Sequence, residues 1–523
     1  MPDTPRRRRG MPNVLRRLVT LPTKEERIRA RAGAPLNPFK IAAMLTPLHT
    51  AFFLSGLLAW TVDACDFFAV SLNVARLTTF FGFGKNNHKV TTAITLTVLL
   101  RPLGGIIFGL LSDRYGRKWP LIFNLLIIAA FSLASARVQT FEQFLAVRSL
   151  FGIGMGGIWG LATATSLENM PAPARGLFSG FVQQGYPAGY ILAATINIVW
   201  VNHSGDWRIL FYFGAGLSAA AAAFRLALPE SPLFLQLKAQ KQATRSTVGP
   251  VKAFIAEFKW LAKNCTGRLI YAILIVVALS FMAHASQDVY PLILQKSKGL
   301  SAYQSSVATI VGSCGAVIGS IIAGYVSQYL GRRLTVAVYA ALAGLLIPAW
   351  MLPTTFSGLA AGVFFLQAMV QGVGGILPAM LQEMAPAHHR ASFPGIAHQT
   401  GVMITACSAQ IITTIGDHHQ IPNPQYVPGG KEPETIPDYP KVSAVFLAIV
   451  VVYTLLVVIF GRYDSSPDLG ASGEDTSSVP SSSEDEARSS DDKVIAENDG
   501  SAPAGDLEQQ KAATARPYDP RGY

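Results

Sequence analysis

Gly109-Leu110-Leu111-Ser112-Asp113-Arg114-Tyr115-Gly116-Arg117-Lys118 is echoed 215 residues further on by Gly324-Tyr325-Val326-Ser327-Gln328-Tyr329-Leu330-Gly331-Arg332-Arg333. Glu168, Pro171, Arg175 and Gly180 return at the same distance as Glu383, Pro386, Arg390 and Gly395. One offset shared by two separate patterns makes the chain two copies of one unit, with little net insertion between them. Long apolar runs fill both copies. Parallel repeats of apolar helices are one layout of secondary transporters, which hold their cargo where the repeats meet.

Composition fixes the class. Only 14% of the 523 residues are charged and 50% are hydrophobic, against roughly 25% charged in an average soluble domain. Apolar runs of about 20 residues, the length that spans a bilayer as helix, occur near 50–75, 91–111, 119–137, 141–166, 177–200 and 208–228. They continue near 268–294, 304–328, 334–352, 356–383, 391–415 and 441–461. The expected fold is an all-α membrane protein of twelve spans in two six-helix repeats, 49–228 and 268–461.

The net charge of +12 is concentrated in the first 31 residues and in the even-numbered loops. By the positive-inside rule that places both termini and those loops in the cytoplasm, and it leaves no basic groove for nucleic acid. The basic segment 1–48 lacks the early apolar core of a secretory signal, so the plasma membrane is the expected location. Residues 229–267 form a Lys-rich linker with an amphipathic stretch around 251–261, expected on the inner bilayer surface. Gly416–Lys441, rich in proline, is expected as an extracellular loop. The Ser- and Asp/Glu-rich tail, 462–523, is expected to be disordered. Its Ser481–Glu486 run and its lysines Lys493 and Lys511 suit phosphorylation, ubiquitination or trafficking partners, beside the blander role of a solubilising tail. Four cysteines, three of them inside apolar runs, do not make a disulfide framework.

At the repeated motif, Gly109 and Gly116 permit a tight turn. Asp113 can face Arg117 and the positive end of a neighbouring helix, and Glu168 can complete the cluster. Arg114, Arg175, Glu383 and Arg390 belong to the same expected cytoplasmic gate, which holds in one state and breaks in the other.

These motifs resemble the major facilitator superfamily. Gly109–Lys118 is similar to its signature between helices 2 and 3, and the stretch from Arg148 to Gly156 resembles its fourth-helix motif. Pro229-Glu230-Ser231-Pro232 resembles the sugar-porter branch. His284-Ala285-Ser286-Gln287-Asp288 resembles the seventh-helix signature of the fungal lactate/pyruvate:proton symporters, Asn-x-x-Ser/Thr-His-x-Ser/Thr-Gln-Asp-x-x-x-Thr, as does the first-helix run Trp60–Phe68. The chain departs from that signature at Ser280, Ala283 and Leu292.

Charges inside a bilayer cost about 2.5–3.5 kcal/mol each on insertion scales, so each needs a partner or a wet cavity. The candidates are Asp63, Asp66, Arg101, Arg148, His284 and Asp288. Asp63 and Asp66 share a helical face, as do His284 and Asp288, and both pairs can point into one cavity. Arg148 or Arg101 offers a bidentate fork to a carboxylate. Ser286, Gln287 and Gln399 are further substrate-binding candidates. Once an anion engages an arginine, a carboxylate that had paired with it loses its partner and takes a proton. Asp288 beside His284 comes first for that role, then Asp63 and Asp66. Each charge also has a purely structural reading as a helix–helix brace. No cofactor, metal site or enzyme motif is expected. The resemblance implies proton-coupled symport of a short monocarboxylate. A sugar acid, a dicarboxylate, a neutral sugar or a non-transporting sensor are the alternatives.

Overall fold

In the computed structural model, which describes residues 35–83, 87–242, 250–422 and 434–461, capping residues set where the spans begin. Thr46 caps α1 (Pro47–Leu72) and forms a reciprocal box with His49, and Thr140 with Gln143 does the same for α4 (Phe141–Leu167). Such boxes satisfy helix N–H groups that have no partner within the helix. Between them lie α2 (Asn87–Tyr115) and α3 (Lys118–Arg137).

The fifth span is not one helix. It divides into α5 (Arg175–Gln183) and α6 (Gly185–Ile196). Pro187 has no amide to offer the Gln183 carbonyl, so the ladder fails one turn before it. After α7 (Arg208–Ala227) the second six spans follow as α8 (Thr266–Gln287), α9 (Ala302–Leu330), α10 (Arg332–Met351) and α11 (Phe356–Met384). The eleventh span is again divided, into α12 (Ser392–Thr405) and α13 (Ser408–His418), before the last helix, α14 (Tyr439–Phe460). Among the described residues ten helices are individually long and apolar enough to cross a membrane. The two divided spans make up the rest of the expected twelve.

The sequence repeat reappears as a repeat of contacts. Gly104 on α2 meets the Ile153 carbonyl of α4, and Gly319 on α9 meets the Ala368 carbonyl of α11. Both partners keep the 215-residue offset. Neither position leaves room for a side chain, so the helix backbones press together as small residues allow in membranes.

The two divided spans show how the halves sit. α5 packs on α9 and α11 of the other half, and α12 packs on α2 and α4. Their second segments stay at home: α6 packs chiefly on α1, and α13 on α14 and α8. The halves therefore meet at the end that carries the repeated motifs and part toward the opposite end. Ser179 marks the closed end, its hydroxyl donating to the Gly375 carbonyl (2.8 Å) and accepting from the Ala379 amide (2.9 Å). Before α1, the Tyr329 hydroxyl donates to the Pro35 carbonyl (2.7 Å) and Tyr325 to that of Leu36, so the segment ahead of the first span straps onto α9.

The proline-rich connection expected as irregular contains a short antiparallel ribbon, Gln420–Pro422 with Thr435–Pro437. The linker stretch expected as amphipathic is helical over Pro250–Asn264. The basic residues 1–34, the phosphorylation and ubiquitination candidates of the tail, and residues 243–249 and 423–433 lie outside the described residues.

Candidate functional site

Four charged side chains sink into the first half. Asp63 and Asp66 come from α1, Arg101 from α2 and Arg148 from α4, and all four are buried. Arg148 is committed to Asp66 (3.5 Å), and its guanidinium lies over the Phe151 ring at 3.9 Å. Gly214 on α7 makes room for the Asp66 carboxyl, since a Cβ there would lie 3.2 Å from its carbon. Arg101 has no carboxylate within ion-pair distance among the described residues. Its Nη2 rests on the Met155 sulfur (2.7 Å) and its guanidinium lies 4.8 Å from the centre of the Phe67 ring. Asp63 is within electrostatic reach of Arg101, Asp66 and Arg148, yet neither of its oxygens accepts a hydrogen bond among the described residues. Of the two arginines, then, Arg148 has a carboxylate partner and Arg101 has none among the described residues.

The second half contributes a different kind of pair. His284 and Asp288 are joined at 3.0 Å near the C-terminal end of α8, and their side chains are 32% and 38% exposed. Helical spacing put them on one face, as expected. No ion pair joins them to the buried cluster among the described residues, though Tyr186 lies within electrostatic reach of Asp288, Arg101 and Asp63 alike. Ser286 and Gln287 are tied to Gln367 of α11, a residue that sequence reasoning missed. Gln367 donates to the Ser286 hydroxyl (3.0 Å), and Gln287 donates to the Gln367 side-chain carbonyl (3.0 Å). A glutamine inside a long apolar helix, with a second at Gln371 one turn on, was the available signal. Gln399 on α12 is buried against Gly105 of α2, with both amide atoms unpartnered among the described residues. Beside it, His398 lies flat on Trp159 of α4, with ring centres 3.9 Å apart.

The gate cluster is assembled at the closed end. Arg117 donates to both Glu168 oxygens (2.7 and 3.1 Å) and pairs with Asp113 at 3.3 Å. Asp113 reaches across to the other half, accepting the backbone N–H groups of Ala391 (3.0 Å) and Ser392 (2.9 Å) at the start of α12. These are amides a helix leaves unpaired, at its positive end. The second copy repeats the pattern, Arg332 donating to Glu383 at 2.7 Å. There Gln328 stands where Asp113 would be, so only one of the two latches is charged. Glu230 of the Pro-Glu-Ser-Pro run caps the start of α3 through the amides of Arg117 (2.9 Å) and Lys118 (3.1 Å). Gly116, at φ 108°, provides the turn, and a side chain there would strike Glu230. Gly109 lies against Ser392, where a Cβ would come within 2.6 Å of its Cα. Arg175 donates to the Met170 carbonyl (3.0 Å), and Arg390 is buried nearby. Arg114 lies outside this network, its guanidinium near the Tyr115 ring. His389 is buried between Asp113 (3.9 Å) and the stacked ring of Trp260 (5.2 Å).

Two six-span halves, a charged latch between them at one end and a buried charge cluster midway define a membrane transporter of the major facilitator fold, not an enzyme. The chain belongs to the sugar (and other) transporter family of that superfamily, whose sequence pattern matches residues 52–461. It is 32% identical over 449 residues to a carboxylic acid transporter protein homolog of Saccharomyces cerevisiae, covering 83% of this chain and 72% of that one. It is 25% identical to the cis,cis-muconate transport protein of Acinetobacter baylyi, covering 57% of this chain and 70% of the relative. The crystal structure of the proton:xylose symporter XylE from E. coli superposes with a TM-score of 0.61 at 18% identity, covering 79% of this chain and 95% of that one. That likeness supports the fold alone.

Proposed function

We propose that this transporter carries a short monocarboxylate such as lactate or pyruvate together with a proton. The observation that carries the reading is Arg101, a buried guanidinium with no carboxylate at ion-pair distance among the described residues. An isolated buried cation is costly, and an incoming carboxylate supplies the missing partner in the two-pronged geometry that guanidinium favours. Asp63 is the nearby acid. While the site is empty it balances Arg101 at a distance. Once the substrate anion takes over that task, Asp63 is left without a counter-charge in a dry place and takes up the proton. His284 and Asp288, partly exposed near the C-terminal end of α8, are the groups that meet the proton first. The carboxylic acid transporter among the relatives supports the cargo class. A neutral sugar would offer Arg101 no ion-pair partner.

The basic loops lie at the closed end, and the positive-inside rule orients that end to the cytoplasm. In this reading the protein sits in the plasma membrane with both termini inside, and the structure is its outward-facing state. Breaking the Asp113 latch opens the inner face and completes the cycle. The test is uptake of radiolabelled lactate by wild type and Arg101→Lys in proteoliposomes. Lysine keeps the charge and loses the fork, so the half-saturating concentration should rise at least about tenfold, the effect of about 1.4 kcal/mol. Unchanged affinity would remove Arg101 from the site, and wild-type uptake indifferent to pH would remove the symport.

A further inference from the structure

Resting on the carboxylate–proton reading above, we infer that His398 is a second proton site of the transport cycle, the one that delivers the proton to the inner face. His398 sits on α12 but inserts into the other half. It lies flat on Trp159 of α4 (3.9 Å, 8°) and edge-on to Trp60 of α1 (6.3 Å, 86°). It is 6% exposed, and its Nδ1 has no partner among the described residues. No hydrogen bond there explains a histidine, and a buried polar atom left unpaired calls for another reason.

The electrostatics supply one. A flat indole face favours a cation, and Trp is the best aromatic for it. The opposing charge is Arg101 of α2, within electrostatic reach of His398. Asp63 lies one turn along α1 from Trp60. The third neighbour, α8, packs on α12 through Val276 and Val277 against Gly401 and presents no charge there. Like charges therefore oppose protonation of His398 while the site is empty. An anion on Arg101 cancels that opposition and leaves the indole attraction. The single proton that Asp63 takes up when the anion binds is then relayed to the imidazole, so one proton travels with each anion.

Direction follows from the fold. Asp63 belongs to the core of the first half and remains there in either state. His398 rides α12, whose first amides are held by Asp113. When that latch opens, α12 withdraws from α2 and α4. The imidazolium leaves Trp159 and enters water on the inner side, where it loses both its anion and its indole and gives up the proton.

The test is a His398→Phe protein in proteoliposomes. Phenylalanine keeps the flat ring and removes the titration. Two readouts are taken with labelled lactate: counterflow at equal pH, and accumulation driven by an inward proton gradient. Wild type should accumulate up to about tenfold per pH unit for one proton. The variant should still show counterflow, while its gradient-driven accumulation falls to roughly onefold. Accumulation that survives in the variant overturns the role of His398. A wild type that never accumulates lactate overturns the symport reading instead. Should the variant fail to fold, Trp159→Phe retains the histidine and weakens its cation site. The pH of half-maximal uptake should then fall by roughly half a unit, the equivalent of the weaker ring, and an unmoved midpoint overturns the inference.

Discussion

Replacing Asp113 by Asn removes one charge from the contact that holds the two halves together at the motif end. The carboxylate accepts two backbone amides of α12 at 3.0 and 2.9 Å and pairs with Arg117 at 3.3 Å. The amide offers a single acceptor oxygen, and its NH2 must face either an N–H of α12 or the guanidinium. A hydrogen bond to a charged group is worth about 1.5–3 kcal/mol, and a partly buried charge at a helix N-terminus up to about 2 kcal/mol. Hydration of Asp113 in the opened state offsets part of this, leaving a net of about 2 kcal/mol, which shifts the balance of states roughly 30-fold. Arg117 keeps its bonds to Glu168, so the first half itself should remain intact. Spin labels at Tyr115 and Ala387, on either side of the closed end, report the separation by double electron–electron resonance, with the exposed Cys314 and Cys407 replaced. The Asn variant should move a large fraction of molecules to a longer distance. A distance distribution identical to that of the otherwise native protein would show that Asp113 does not hold the halves.

Four further outcomes follow from the same geometry. Gly176→Ala places a methyl group 2.6 Å from the Gly324 carbonyl of the other half, so it should favour the opened motif end in the same resonance experiment. Gly395→Ala, which finds nothing nearer than 3.4 Å, should leave the distribution close to that of the native protein. Arg148→Gln strands Asp66 in a dry core and should cost about 3–5 kcal/mol of stability, measured as a lower melting temperature in detergent, with the added Asp66→Asn recovering most of it. Gln367→Ala frees Ser286 and Gln287 and should weaken substrate affinity several-fold in equilibrium binding while leaving the melting temperature within a few degrees.

Much of the gate was legible because it is encoded locally and twice. The spacing of Asp113 and Arg117, the return of Glu168 as Glu383, and the shared 215-residue offset specify contacts that the structure repeats. The His284–Asp288 pair was legible for the same reason, since residues four apart share a helix face. What the sequence left open was pairing across helices. Whether Asp66 meets Arg148 or Arg101 depends on how α1, α2 and α4 are rotated, and that rotation is set by glycine contacts such as Gly104 on Ile153. How the two pairs lie relative to one another depends on the same rotations: the acids of α1 are buried with the arginines, His284 and Asp288 are partly exposed, and Tyr186 lies within electrostatic reach of Arg101, Asp63 and Asp288 alike. Gln367 has Gln371 one turn on, but nothing in the sequence says that this face of α11 meets Ser286 and Gln287 of α8. The burial of His389 was not legible, because Trp260, which stacks on it, lies 129 positions earlier in the chain. The divided fifth span was legible in principle, from Gly185 and Pro187, but its apolar length concealed the break.

Adding lactate to proteoliposomes that hold a trapped pH indicator, with no gradient imposed, asks most directly whether the anion and the proton move together. Lumenal acidification with lactate or pyruvate, absent with xylose and abolished by Arg101→Ala, is the predicted result. Lactate entry without acidification, or acidification driven equally by a neutral sugar, would contradict it.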